Sequence, residues 1–311
     1  MIGAVDIGGT KIAVGMVSGG RVLDKTEFPT DVPNGFAVAM ARIATALREC
    51  AGRAAAELRG IGIGCAGQLD AVTGRLGSVN NLPGWEGCNP VEILEREFSL
   101  PVALENDADA VALGEVHWGA LRSASRLVFV TIGTGIGASV ILEGKIYRGV
   151  RHSHPEIGHF VIDPSGPMCT CGARGCWESL ASGPGMAQWA KENAPADRAA
   201  LNLTARQLCL LAEEGDEWAQ RAVEHEGRYL GLGLANLVDV FVPEAIILGG
   251  SVMKSAPLFM DRIWREIREN CRLVPHECVE IVMASLGADV ALIGAGEVWH
   301  HRFERSAGRI D

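Results

Sequence analysis

One histidine and three cysteines fall within a short stretch in the middle of the chain, spaced His159-x9-Cys169-x-Cys171-x4-Cys176, and Glu156 and Glu178 bracket them. Thiolate sulfur and imidazole nitrogen are the ligands a closed, tetrahedral Zn²⁺ site prefers. Closely paired cysteine knuckles are commoner in structural zinc sites, so this spacing is unusual but chemically complete. Gly172 and Gly175 give the loop its turns. His152 and His154 are competing ligands, ranked below His159 because Glu156-x2-His159 brings acid and imidazole together. The metal does not need the flanking carboxylates, which leaves them for a substrate. The segment predicts a binding pocket whose wall is pinned by zinc, and it predicts that loss of the metal leaves the nucleotide loops intact.

Three glycine-rich turns carry a second kind of chemistry. Asp6-x-Gly8-Gly9-Thr10-Lys11 lies between two predicted strands, where glycine lets backbone N–H groups approach a phosphate. Asp6 adds a Mg²⁺-linked carboxylate and Thr10 a hydroxyl. The Walker spacing is missing. Gly133-Thr134-Gly135-Ile136-Gly137 repeats the pattern, and the two turns together could close on one triphosphate. Gly249-Gly250-Ser251 follows an apolar strand and could pack against an adenine ring. A plain hairpin or a helix N-terminus accounts for each of these turns taken singly. Glu105-Asn106-Asp107 sits where a strand gives way to a helix, the usual place for catalytic groups in open α/β sheets. Helix capping is the alternative role there. Chemically, Asp107 could act as general base toward a hydroxyl.

The elements that must position these groups alternate. Strands are expected at Ile2–Ile7, Ile12–Val17, Val22–Phe28, Gly60–Gly64, Leu100–Leu104, Leu127–Ile132, Ala138–Leu142, Ala245–Leu248 and Val279–Met283. Helices are expected at Phe36–Leu58, Pro90–Phe98, Ala108–His117, Gly185–Lys191, Thr204–Glu213, Trp218–Val240, Leu258–Cys271 and from Ala288 onward. Cys65–Trp85 reads as a long loop. The alternation indicates an α/β architecture, and strand–glycine turn–strand occurs twice, which suggests two related halves. Small and polar residues at Gly119–Ser125 mark a boundary between them.

The 311 residues suffice for two cores. A formal net charge of −10 argues against an extended nucleic-acid surface, which needs a basic stripe, but not against a nucleotide held by backbone N–H groups and Mg²⁺. The nine cysteines do not pair evenly, and no leader or membrane-length apolar run is read before or within the chain, so a reduced, cytoplasmic protein is expected. Cys50, Cys65, Cys88, Cys209, Cys271 and Cys278 read as core or surface thiols.

Taken together these residues resemble the ROK family of sugar kinases and sugar-responsive repressors. The matches are Asp6–Lys11, Asn81-Leu82-Pro83-Gly84-Trp85, Glu105-Asn106-Asp107, Gly133–Gly137, Glu156–His159, the Cys169/Cys171/Cys176 cluster and Leu248-Gly249-Gly250, in the family's order over almost the whole chain. The resemblance implies an actin-like/hexokinase-like (ribonuclease H-like) two-lobed α/β fold with an interlobe cleft. It implies a small lobe of residues 1–119 with a C-terminal helix at about 295–311, and a zinc-bearing large lobe of residues 120–294. It also implies transfer of the γ-phosphate of Mg²⁺–ATP to the primary hydroxyl of a hexose, with Asp107 as base and a structural Zn²⁺. Gly67, Asn81, Asn106, Asp107, Glu156, His159 and Glu178 are the implied sugar contacts, with one His159 ring nitrogen on zinc and the other toward the sugar. Asp6, Gly8, Gly9, Thr10, Lys11, Gly133, Thr134, Gly135, Gly249 and Gly250 are the implied nucleotide contacts. Glucose is the leading substrate; fructose, mannose, N-acetylmannosamine and N-acetylglucosamine are the alternatives. Ala66-Gly67-Gln68 departs from the family's usual Pro-Gly, and His154-Pro155-Glu156 with Ala181-Ser182-Gly183-Pro184 is similar to bacterial fructokinases. A homodimer is implied as well. Repressors of the family carry a DNA-binding domain before the first phosphate loop; that loop begins here at Asp6, so a kinase is expected over a regulator.

Overall fold

The apolar run that opens the sequence becomes β1 (Ile2–Ile7), the buried centre of a sheet, in a computed structural model that describes residues 1–55, 57–77, 82–119, 124–198 and 200–305. The chain divides into two units. The first holds Met1–Ala124, Ile146–Pro155 and Ala284–Asp311; the second holds Ser125–Lys145 and Glu156–Met283.

In the first unit, β1 pairs antiparallel with β2 (Lys11–Ser18), which pairs with β3 (Arg21–Pro29). Every second residue of β3 is exposed, as expected of an edge strand. On its other side β1 runs parallel to β4 (Gly60–Cys65). Parallel neighbours need a crossover, and α1 (Phe36–Arg53) supplies it, burying Met40, Ile43, Leu47 and Cys50 at helical spacing. A small ribbon of β5 (Leu69–Asp70) and β6 (Arg75–Leu76) follows. Then α2 (Pro90–Phe98), capped by Asn89, leads to β7 (Val102–Asn106), parallel to β4. The chain turns directly into α3 (Asp107–Trp118), against which α9 (Val290–His300) packs from the C-terminal segment. Leu82 and Trp85 lie in this unit's core, Trp85 edge-on to Phe36 with ring centroids 5.2 Å apart. Fully burying a large apolar side chain contributes about 1.5–3 kcal/mol, so two of the five residues of the Asn-Leu-Pro-Gly-Trp motif are explained by packing.

The second unit repeats the topology. β8 (Leu127–Ile132), β9 (Ile136–Leu142) and β10 (Lys145–Ile146) stand where β1, β2 and β3 stand, and β11 (Ala245–Gly249) and β12 (Glu280–Met283) take the places of β4 and β7. The two sheet orders, β3-β2-β1-β4-β7 and β10-β9-β8-β11-β12, are the same path written twice. Helices α4 (Trp177–Ala181), α5 (Gly183–Glu192), α6 (Ala205–Glu213), α7 (Glu217–Phe241) and α8 (Met260–Asn270) complete the unit. A reciprocal capping box of Thr204 and Gln207 opens α6.

Two element boundaries differ from expectation, and two segments fall in a different unit. α1 ends at Arg53 rather than Leu58, because Ala55 takes a left-handed φ of 47° just past the cap. β7 lies two residues later than expected, which puts Glu105 and Asn106 in the strand and makes Asp107 the first residue of α3. Residues 146–155 and 284–294, expected in the second lobe, group with the first unit. Arg148 and His154 there pair with Asp109, and the Ser285 and Leu286 amides donate to Glu115. Among the described residues, no helix is long and apolar enough to cross a membrane.

Candidate active site

The β7–α3 junction is built around Asp107. Asn106 caps α3, its Oδ1 accepting from the Ala108 amide at 2.9 Å, while its Nδ2 donates to the Gly67 carbonyl at 3.2 Å. Asp107 shares the same Ala108 amide at 2.9 Å. Burial pushes the Asp107 carboxyl above the usual range, against the pull of that amide and of His154. Asp6, at the end of the adjacent-but-one strand β1, is pushed up to about 7 by burial and then by the charge of Asp107. Gly64 on β4 lies between them; a Cβ there would come 3.8 Å from the Asp107 Cα and 4.0 Å from Asp6 Oδ1. Two half-buried carboxylates this close, the charge of one raising the other, are a donor set that fits a divalent cation.

Around Asp107 lies a charged cluster that spacing alone did not reveal. Arg148 reaches Glu105 and, at 2.5 Å, Asp109 Oδ2, which also lies 2.8 Å from His154 Nδ1. Asp109 and His154 are both buried. Glu105 is pushed up to about 7, burial outweighing Arg148. The Gln68 side chain donates to the His154 carbonyl at 3.2 Å. His154, a competing metal ligand on spacing alone, is thus engaged elsewhere, and neither it nor His152 belongs to the metal cluster found among the described residues.

The phosphate-type turns are two equivalent hairpins. Gly8–Thr10 joins β1 to β2, closed by Gly8 N–H donating to the Lys11 carbonyl and steadied by Thr30, whose hydroxyl donates to the Gly8 carbonyl at 2.6 Å. The Lys11 ammonium lies 3.0 Å from Glu27. In the second unit, Gly133–Gly135 joins β8 to β9, with Gly133 N–H on the Gly135 carbonyl at 2.9 Å. Beside this turn opens a cavity of about 750 Å³, lined by Gly133, Thr134, Gly183, Pro184, Ala205 and Ser251 among others. Gly250 adopts φ +93°, and a Cβ on it would sit 2.2 Å from the Ile132 carbonyl oxygen, so only glycine lets the β11 loop lie against the turn. Ser251, directly after Gly249 and Gly250, lines the cavity; the two glycines do not.

The zinc-type residues meet. The donor atoms of His159, Cys169, Cys171 and Cys176 all lie within 4.8 Å of one another. His159 Nδ1 is 3.5 Å from the Cys169 sulfur, and the Cys171 and Cys176 sulfurs are 3.6 Å apart. A tetrahedral zinc with usual bond lengths puts sulfur about 3.5 Å from nitrogen and about 3.8 Å from sulfur, so the four groups fit a structural zinc ion. Burial pushes the Cys176 thiol up to about 12; a bound cation reverses that preference and favours the thiolate. The loop is a miniature hairpin with bridges Met168–Arg174 and Val161–Cys176. Gly175, at φ +74°, would place a Cβ 1.6 Å from the Asp163 carbonyl oxygen, which makes glycine obligatory there.

The loop runs straight into the nucleotide-type turn. Glu178, on α4 just after Cys176, accepts from the Ile136 amide at 3.0 Å, and Gly183 N–H donates to the Gly133 carbonyl at 2.8 Å. Glu178 and Gly183, two and seven residues after Cys176, thus both hydrogen-bond to this turn. Glu156 and His159 share a single helical turn, His159 N–H donating to the Glu156 carbonyl at 3.0 Å.

The ROK family model matches residues 2–302. The chain belongs to the ROK family. It is 34% identical over 306 residues to a glucokinase of Halalkalibacterium halodurans, covering 94% of this chain and 92% of the relative. It is similar to the crystal structure of a ROK hexokinase from Thermus thermophilus (TM-score 0.81, 35% identity, 96% of this chain and 97% of that one). It is also similar to that of a ROK glucokinase from Streptomyces griseus in complex with glucose and AMPPNP (TM-score 0.80, 32% identity, 96% and 98%). The fold is accordingly the two-lobed, actin-like/hexokinase-like one.

In this ROK chain each expected set is divided between the units. Gly67, Asn106 and Asp107 stand in the first with Asp6–Lys11; Glu156, His159 and Glu178 stand in the second with Gly133–Gly135 and Gly249–Gly250. Asn81 lies outside the described residues. Arg148, Asp109 and the α6 residues lining the cavity are not singled out from sequence, whereas Gly183 and Pro184 of α5 are, for their similarity to bacterial fructokinases. The one available signal was Ser182-Gly183-Pro184, a cap, a glycine and an N1-type proline opening a helix.

Proposed function

We propose that the protein is an ATP-dependent hexose kinase whose preferred acceptor is glucose, with Asp107 as general base. The observation that carries the reading is the placement of Asp107: a half-buried carboxylate at the start of α3, held by an N-terminal amide and next to the Gly67 loop. In the ionised form it accepts the proton of the sugar's primary hydroxyl as that oxygen attacks the γ-phosphorus and the bridging bond to ADP breaks. Asn106 and Gly67 orient the acceptor, and the cavity beside Gly133, Thr134 and Ser251 takes the adenosine end of the nucleotide. Asp6 would hold Mg²⁺, which when bound spreads the charge developing on the phosphoryl oxygens. His159, Cys169, Cys171 and Cys176 would hold the structural zinc.

Glucose is favoured by the names carried by the relatives above. The His154-Pro155-Glu156 segment favours fructose as the second reading. One sugar hydroxyl contact is worth enough to separate the two clearly. The test is ADP release, coupled to a spectrophotometric readout, with glucose, fructose, mannose, N-acetylmannosamine and N-acetylglucosamine in turn. The expected result is the highest kcat/KM with glucose. A higher value with another hexose overturns the substrate, and no turnover with any of them overturns the kinase in favour of a sugar-binding regulator.

A further inference from the structure

We infer that Asp109 and His154 are a positioning pair for the reaction: together they fix the first turn of α3 and the Gly67–Gln68 loop, and so aim Asp107 at the acceptor hydroxyl. The inference rests on the reading of Asp107 as base.

The geometry is a set of cross-ties around one residue. Asp107 has pinned neighbours on both sides. Two residues before it, Glu105 is paired with Arg148; two residues after it, Asp109 is held by Arg148 at 2.5 Å and by His154 Nδ1 at 2.8 Å. The immediate neighbour, Asn106, ties to the Gly67 carbonyl at 3.2 Å, and the next residue of that loop, Gln68, ties to the His154 carbonyl at 3.2 Å. The strand end, the helix start, the acceptor-side loop and the Ile146–Pro155 segment therefore form a closed circuit, all within the first unit. Asp109 and His154 are at most 7% exposed, so their interaction is poorly screened and each is costly to leave without the other. A circuit of this kind acts through precision. Displacing a reacting group by about 1 Å costs on the order of 100-fold in rate, and neither Asp109 nor His154 need touch the substrate to prevent it.

The experiment is a double-mutant cycle of His154→Ala and Asp109→Ala in the full-length protein, with His154→Asn and Asp109→Asn as conservative variants. Asn at 154 keeps a donor near the Nδ1 position, and Asn at 109 keeps an acceptor. Both alanine variants are expected to lose about 10- to 100-fold in kcat with the hexose. The KM for ATP should change less than kcat, since the Gly133–Gly135 turn and the cavity beside it belong to the other unit. The double variant should lose no more than the worse single one, because the pair acts as a unit, and both asparagine variants should recover most of the loss. Thermal unfolding of each variant separates positioning from loss of fold. A kcat within twofold of the parent in a folded His154→Ala protein overturns the pair, as do fully additive losses. If the alanine variants do not fold, the asparagine variants decide: substantial kcat loss in both despite an unchanged melting temperature overturns the proposal, near-parental kcat supports it. Asp107→Asn, measured alongside, keeps the two ideas apart. Turnover retained there defeats the base assignment itself, whereas turnover lost there but kept in His154→Ala defeats only the positioning pair.

Discussion

Glu178 Oε2 accepts a hydrogen bond from the backbone amide of Ile136 at 3.0 Å, and this bond joins the metal loop to the turn between β8 and β9. Glu178 stands two residues after the metal-type ligand Cys176, on a helix of only five residues, so it has little freedom once the cysteine is fixed. A Cβ on Gly135 would lie 2.3 Å from the same oxygen, which shows how closely the carboxylate is pressed against the turn.

Glu178→Ala is accordingly expected to raise the KM for ATP by about 5- to 10-fold, the equivalent of one lost hydrogen bond of about 1–1.5 kcal/mol. Chelation of zinc should act in the same direction, lowering the melting temperature and weakening ATP binding measured by titration calorimetry. ATP affinity unchanged after the metal is stripped, with zinc loss verified by elemental analysis, would show that the loop and the turn are mechanically separate.

Asp6 gives a stability signature with a definite sign. Its carboxyl is pushed up to about 7 in the folded protein by burial and by Asp107, against about 4 in an unfolded chain. Below pH 4 it is protonated in both states and contributes nothing. As pH rises from 4 to 7 only the unfolded state releases the proton, so stability falls, by up to about 4 kcal/mol above pH 7. Asp6→Asn removes that loss. In the absence of divalent cations and nucleotide, the variant is expected to match the parent near pH 4 and to melt at higher temperature at pH 8, while losing turnover. Parallel melting curves for the two proteins across this range would contradict the burial of a titrating Asp6.

Much of this arrangement could be read from residue types. The metal ligands were legible because their chemistry is selective and they lie close in sequence; the fold adds only that four donor atoms converge. The duplicated strand–turn–strand was legible from glycine placement, and it became the same sheet order in both units. What was not legible depends on partners distant in sequence. Nothing near Asp109 announces that Arg148, thirty-nine positions on, will neutralise it, and His154 beside Glu156 reads as a metal ligand until Asp109 is seen against it. Nor does the sequence show that Glu178, expected to face the sugar, also accepts from the Ile136 amide forty-two residues away. Strand boundaries also slipped by two residues at β7, where Pro101 masks the start of pairing, and that slip decides which of Glu105, Asn106 and Asp107 opens the helix.

The β11 loop supplies a last expectation. Gly250 combines φ +93° with a carbonyl oxygen, that of Ile132, only 2.2 Å from where a Cβ would stand. Neither problem can be relieved by a side-chain rotation, since the obstacle is the backbone of the central strand β8 and the torsion is one that other residues adopt at a cost of about 1–3 kcal/mol. Gly250→Ala must therefore push the loop outward, away from Gly133 and toward the cavity. Ser251, which lines that cavity and whose hydroxyl lies 3.4 Å from a Cβ position on Gly133, moves with it. The variant is expected to lose about 2–4 kcal/mol of stability in urea unfolding, the strain and the displaced contacts adding, and to bind ATP at least tenfold more weakly. Its hexose affinity should fall less than its ATP affinity, because Gly67 and Asn106 belong to the other unit, although Glu156, His159 and Glu178 share the unit of Gly250. A Gly250→Ala protein with parental stability and parental ATP affinity would mean that the loop does not rest on the turn in solution.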